Sequence, residues 1–289
     1  MSGVAGMKVG VVGAGLMGAE IALVFALAGA DVLLNDRDPA ALDGAIARLA
    51  ALTERGVARG FYTAAQRGEA LARLRPAPDL ASFADRDLVT EAVFESLEVK
   101  SAVLSSLDGI CRGDCVIASN TSTLPISTLA AALAPRRRAQ LIGTHYFSPV
   151  SRMQLVEVIP AFDTEPAIVE DVTATLRAIG KSPIRVNDVA GFAVNRLLHA
   201  MLIEAVKLVE EGVASPGDLD TACRLGLGHP IGPFALMDTV TSGLCLQVQQ
   251  ILHDNYGERF RPPALLKQRV AAGYGGGRTA PGWLERAEA

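Results

Sequence analysis

The chain has 289 residues, half of them hydrophobic, a formal net charge of −4 and only 5% aromatic residues. That length suits one large or two medium domains, and the apolar share is enough to bury a core. The weak negative balance argues against a nucleic-acid binder; the one basic cluster, Arg136-Arg137-Arg138, follows Pro135 and reads as a solvated loop.

Taken in chain order, Lys8-Val9-Gly10-Val11-Val12 is a buried, β-branched strand, and residues 15–29 form a helix ended by glycine. This stretch superficially resembles a leader or a membrane span, because Glu20 is its only charge from Val9 to Ala30. Five glycines and a carboxylate in mid-run speak for a strand, a turn and a buried helix instead, so no membrane association is expected. Residues 31–36 are a second strand. Residues 39–55 are a helix with Pro39 in its first turn, and Thr63-Ala64-Ala65-Gln66 is a capping box that opens another. Strands are predicted over 87–93, 115–119, 141–144, 155–159 and 183–186, with helices over 100–107 and 165–179. After Asn187 the texture changes: residues 191–212 form a long amphipathic helix, Ser215-Pro216 caps the next, and no strand follows. Alternating strands and helices followed by helices alone predict a doubly wound, Rossmann-type α/β domain over 1–187 and an all-α domain over 188–289. The cysteines Cys111, Cys115, Cys223 and Cys245 lack zinc-site spacing, so no metal is expected. Scattered thiols fit a reducing, cytoplasmic setting.

Gly13-Ala14-Gly15-Leu16-Met17-Gly18 reads G-x-G-x-x-G. Alone it is a weak signal. Here a strand precedes it, a helix follows, and the next strand ends in Asp36, eighteen residues past the third glycine. Such a turn lets a pyrophosphate approach the helix N-terminus, where N–H groups and the dipole stabilise it. Asp36 would bind the adenine ribose and repel a 2′-phosphate, so NAD is expected over NADP, with Arg37 beside it as a complication.

Further along, five segments are similar to signatures of the 3-hydroxyacyl-CoA dehydrogenase family, in the same order. They are Glu91-Ala92-Val93-Phe94-Glu95 with Lys100, Ser119-Asn120-Thr121-Ser122, His145-Tyr146-Phe147-Ser148-Pro149 with Glu157, residues 191–196, and His229-Pro230-Ile231-Gly232-Pro233-Phe234. The resemblance implies an L-3-hydroxyacyl-CoA oxidised to the 3-oxoacyl-CoA by hydride transfer to NAD, and a homodimer. It makes His145 the catalytic histidine, Glu157 its carboxylate partner, and Ser122 and Asn195 the residues that bind the reacting oxygen. It also implies cofactor contacts at Glu95, Lys100, Ser122, Ser148 and Arg278, and makes Arg55 and Arg59, on the helical arm after the second strand, candidates for CoA. The chemistry accounts for such a set. As hydride leaves carbon, a base near neutrality must take the hydroxyl proton, and histidine suits that task. A carboxylate on its other nitrogen fixes the tautomer.

Taken singly, each residue has a plainer reading: a histidine beside Tyr and Phe as a core residue, Glu157 as a strand charge, Ser122 and Asn195 as helix caps. Three positions depart from the family pattern: Ser148 replaces Asn, Arg278 replaces Lys, and Thr241 stands where Gly is usual. Two alternatives remain open on these residues: a dehydrogenase of a CoA-free 3-hydroxy acid of the carnitine or gulonate type, and an NAD-binding protein without catalysis.

Overall fold

Residues 3–277 and 279–284 are described by the structure, a computed structural model. The chain divides into two compact units, Met1–Val189 and Ala190–Ala289.

The first unit holds eight strands, β1 (Lys8–Val12), β2 (Asp31–Asn35), β3 (Leu74–Pro76), β4 (Leu88–Glu91), β5 (Val116–Ser119), β6 (Leu141–Tyr146), β7 (Leu155–Pro160) and β8 (Ser182–Arg185). They form one sheet in the order β3-β2-β1-β4-β5-β6-β7-β8. From β3 to β6 all neighbours are parallel; β7 runs antiparallel to β6, and β8 parallel to β7. The helices between them are α1 (Leu16–Leu27), α2 (Pro39–Ala58), α3 (Ala64–Arg73), α4 (Leu97–Ile110), α5 (Ile126–Ala130), α6 (Pro135–Arg138) and α7 (Pro166–Ala178). Strand β1 has β2 on one side and β4 on the other, so a switch point lies at its C-terminal end, where such sheets bind ligands.

Strand burial explains the apolar runs. In β4 and β5 every residue is buried, as expected of parallel strands covered on both faces. Helix α1 is buried over nine of its twelve residues, in one cluster with Val9, Val11, Val32, Leu34 and Val172. A helix apolar all round belongs inside a protein or a membrane, and here the sheet and neighbouring helices cover it. No helix among the described residues is long and apolar enough to cross a membrane.

Two features differ from the expectation. Strand β3 is not anticipated by the sequence: only Leu74 of its three residues is buried, and it pairs with β2 at the sheet edge, where Pro76 is tolerated. The arginine cluster is not a solvated loop. Arg137 is buried, donates to the carbonyls of Cys111, Arg112 and Cys115, and pairs with Asp108 at 3.1 Å. Its guanidinium ties together the turn from α4 to β5, satisfying carbonyls that would otherwise be stranded.

The second unit is helical: α8 (Val194–Glu210), α9 (Pro216–Gly226), α10 (Pro233–Val240), α11 (Ser242–Tyr256) and α12 (Ala264–Ala271). Its core joins Leu202, Val206, Phe234, Met237, Leu266 and Trp283. The buried Asp220 carboxylate caps α10 by accepting from Phe234 N and Ala235 N, at 2.8 and 2.9 Å. Asp238 accepts from Trp283 N at 2.8 Å, so the end of the described chain folds back onto α10.

Candidate active site

At the end of β1 the glycine turn is sterically compelled at two positions. Gly13 has φ +102°, and a Cβ there would lie 2.6 Å from Ala92 O; a Cβ on Gly18 would lie 1.9 Å from Gly13 O. Gly15 is different, because a Cβ there would meet nothing. It stands exposed at the N-cap of α1 without a side-chain cap, beside exposed Leu16 and half-buried Met17. The protein itself leaves Gly15 room for a side chain, while a dinucleotide pyrophosphate on the first N–H groups of α1 requires its absence. The turn thus fits NAD. Asp36, just past β2, accepts from Ala14 N at 2.7 Å and from Asp38 N at 3.0 Å, so it also braces the turn from behind. Arg37 beside it is exposed.

At the end of β4 lies a chain of buried charges. The Glu91 carboxylate is fully buried and accepts from Lys100 Nζ (2.8 Å), Ser119 Oγ (2.7 Å) and Val93 N (2.7 Å). Lys100, expected at the cofactor, is itself fully buried; its ammonium lies between Glu91 and Glu95, 3.5 Å from the latter. Such a lysine braces both carboxylates of this segment. Glu95 accepts from Thr121 Oγ1 (2.6 Å), Ser122 N (2.8 Å) and Thr123 N (2.9 Å). Burial pushes the Glu95 carboxyl up, but Lys100 and these hydrogen bonds outweigh it and hold it below the ordinary carboxylate range. The charge of Glu95 therefore fixes the loop that carries Ser122. In the sequence Glu91 stands out only as part of a motif, although a carboxylate closing a strand that is buried throughout is a legible signal.

One strand further, His145 sits near the C-terminal end of β6, opposite Glu157 of β7 in antiparallel register. His145 Nδ1 and Glu157 Oε2 are 2.7 Å apart; Glu157 is wholly buried and His145 nearly so. The Phe147 ring packs on the imidazole, with centroids 4.5 Å apart. Asn120 Oδ1 accepts from Tyr146 N at 3.0 Å, tying the Ser122 loop to the histidine strand. Since β5 and β6 are adjacent and parallel, Ser122 and His145 share one edge of the sheet with the glycine turn. Ser148 is exposed and precedes a cis proline, Pro149.

Comparison with known proteins decides the family. Residues 8–189 match the model of the 3-hydroxyacyl-CoA dehydrogenase NAD binding domain, and residues 191–286 match that of the family's C-terminal domain. The chain belongs to the 3-hydroxyacyl-CoA dehydrogenase family. It is therefore an NAD-dependent dehydrogenase. A probable 3-hydroxybutyryl-CoA dehydrogenase of Deinococcus radiodurans is 41% identical over 284 residues, covering 96% of this chain and 100% of that protein. Among solved structures, FadB2 of M. tuberculosis superposes with a TM-score of 0.93 at 36% identity, covering 98% of this chain and 100% of the other. The (S)-3-hydroxybutyryl-CoA dehydrogenase PaaH1 of Ralstonia eutropha gives 0.89 at 38%, covering 93% and 94%.

Within this dehydrogenase, Asn195 lies in the first turn of α8, after Gly191 and Phe192, both of positive φ. Thr241 has φ +82°, the left-handed region that favours glycine, which accounts for the residue usual at that place. Arg278 lies outside the described residues.

Proposed function

We propose that the chain oxidises an L-3-hydroxyacyl-CoA to the 3-oxoacyl-CoA with His145 as the base and Glu157 as its partner. The observation that carries this reading is the 2.7 Å approach of His145 Nδ1 to a wholly buried carboxylate directly across the strand pair. Glu157 Oε2 orients the imidazole, so the proton of the C3 hydroxyl goes to Nε2. The positive charge that forms is stabilised by a carboxylate that water cannot screen. NAD, held at the glycine turn, would supply the acceptor for the hydride of C3. Ser122, on the loop fixed by Glu95, and Asn195 orient the C3 oxygen and polarise the ketone in the reverse direction. The glycine turn, Asp36, Glu95 and Ser148 line the cofactor side, with Lys100 acting behind Glu95.

Exposed Leu197, Leu225, Leu227 and Leu244 of the helical unit support a homodimer joined through that unit. Four free cysteines support a cytoplasmic enzyme.

The test is turnover of acetoacetyl-CoA against free acetoacetate, each with NADH and with NADPH. Expected are orders of magnitude in kcat/KM for the thioester and a strong NADH preference. Comparable use of the free acid would favour the CoA-free reading, and no turnover of either the non-catalytic one.

A further inference from the structure

Glu20 is the one charge of α1, and it is buried in a helix that is otherwise apolar. A carboxylate is costly there unless something specific meets it. What meets it is backbone: Glu20 Oε2 accepts from Ser151 N at 2.8 Å. Lys181, buried between α7 and β8, grips the same stretch with the opposite charge, donating to the carbonyl of Val150 and, at 2.9 Å, to that of Met153. Burial pushes the Lys181 ammonium down and the charge of Glu20 opposes this, so the two charges also stabilise each other. Between the two anchors, Val150 is buried in the same apolar cluster as α1.

The fold of α1 does not need this carboxylate. Nine of the helix's twelve residues are buried, and an apolar side chain at position 20 would suit such packing at least as well as a charge. The two charges therefore serve the stretch that they hold. That stretch leaves β6 directly after His145 and Tyr146. It begins with Phe147, whose ring packs on the imidazole, centroids 4.5 Å apart, and with Ser148, on the cofactor side of the proposed site. Before Phe147, Tyr146 N is fixed by Asn120. After Ser148 comes a tight turn, in which Pro149 O accepts from Arg152 N and Met153 N at 3.0 and 2.9 Å. Glu20 and Lys181 dock this turn by its remaining polar groups. Phe147 and Ser148 are thus suspended between two fixed points. One of these is α1, the helix whose N-terminus suits the pyrophosphate.

We infer that Glu20 and Lys181 are positioning residues for the proton transfer. They fix residues 147–153, and through Phe147 the imidazole of His145, against the cofactor helix. The inference rests on the reading of His145 as the base and deepens it. Both residues act from behind the site, and their effect is geometric: a displacement of about 1 Å at reacting groups can cost about 10²-fold in rate.

The experiment is single-turnover stopped flow with acetoacetyl-CoA, enzyme being in excess over NADH. The proteins are wild type, Glu20→Leu, Lys181→Met, the double variant with both changes, and Glu20→Gln. Single turnover separates a lower rate constant, which reports geometry at the site, from a lower amplitude, which reports a smaller active fraction. Each apolar single variant leaves one buried charge uncompensated, so its urea midpoint should fall. The double variant should recover most of the midpoint, because apolar side chains then replace the whole pair. Its rate constant should nonetheless stay about 10–10²-fold below wild type. The KM for acetoacetyl-CoA and the NADH Kd should remain within about twofold of wild type. Glu20→Gln, which keeps an acceptor for Ser151 N, should regain most of the rate. Should a single variant fail to fold, the double variant and Glu20→Gln carry the test. A double variant with a recovered midpoint and a wild-type rate constant overturns the inference, and so does a loss confined to amplitude or to KM. Near-wild-type turnover by His145→Gln in the same series fails the reading of the base, and this inference with it; a rate constant that needs His145 but not Glu20 or Lys181 fails this inference alone.

Discussion

Lys100 shows how a single residue can carry a task that its sequence does not announce. The resemblance makes it a cofactor contact; the structure encloses its ammonium between Glu91 and Glu95. Lys100→Met leaves Glu91 as a buried carboxylate without its cation, which costs about 3–5 kcal/mol in comparable cases. We expect a loss of that order in urea denaturation; a loss below about 1 kcal/mol would contradict the assigned role. Because Glu95 then also loses its neighbour, the Ser122 loop should loosen and kcat should fall in the fraction that folds. Nothing local in the sequence reveals this geometry, since a buried lysine and an exposed one look alike in a helix. His145 and Glu157 are legible for the opposite reason: a proline turn followed by Leu-Val-Glu-Val returns one strand on the other.

Among the elements, the strands with β-branched runs are legible, as are the longer helices with proline or capping residues at their starts, because their signals lie within the element itself. Strand β3 and helix α6 are not. The first has one buried residue and depends on the edge of β2. The second places Arg137 on carbonyls 22 to 26 residues away in sequence. The junction of α10 and α11 offers a test at this scale. Thr241 holds φ +82°, and a non-glycine residue there stores about 1–3 kcal/mol of strain. Its hydroxyl caps α11 by accepting from Leu244 N at 3.3 Å, and exchange of such a cap for glycine costs only a few tenths of a kcal/mol. Glycine also adds about 0.5–1 kcal/mol of entropy to the unfolded chain. Relief of strain should win by about 1 kcal/mol, so Thr241→Gly should raise Tm by roughly 2–4 °C in scanning calorimetry. A lowered Tm would mean that the cap outweighs the strain.

For the whole molecule, stability against pH is the first property to follow from the parts. His199 is buried in α8 without a partner for Nδ1 among the described residues, and burial pushes its pKa down to about 4. The unfolded chain therefore binds a proton near pH 6.5 that the folded chain refuses until about pH 4. The stability tied to a neutral His199 is complete above about pH 6.5 and is lost as pH falls through that window. Urea midpoints of wild type should drop more steeply from about pH 7 to about pH 5 than those of His199→Leu; equal slopes would contradict the assignment. Turnover is the other property of the whole, and it depends on the pair across β6 and β7. Steady-state kinetics of His145→Gln, Glu157→Gln and the double variant test this most directly. The expected result is a fall in kcat of about 10²–10⁴-fold for His145→Gln, a smaller fall for Glu157→Gln, a double variant little worse than the histidine variant alone, and an NADH Kd unchanged throughout. Near-wild-type turnover by His145→Gln would contradict the assignment and return this histidine to the core.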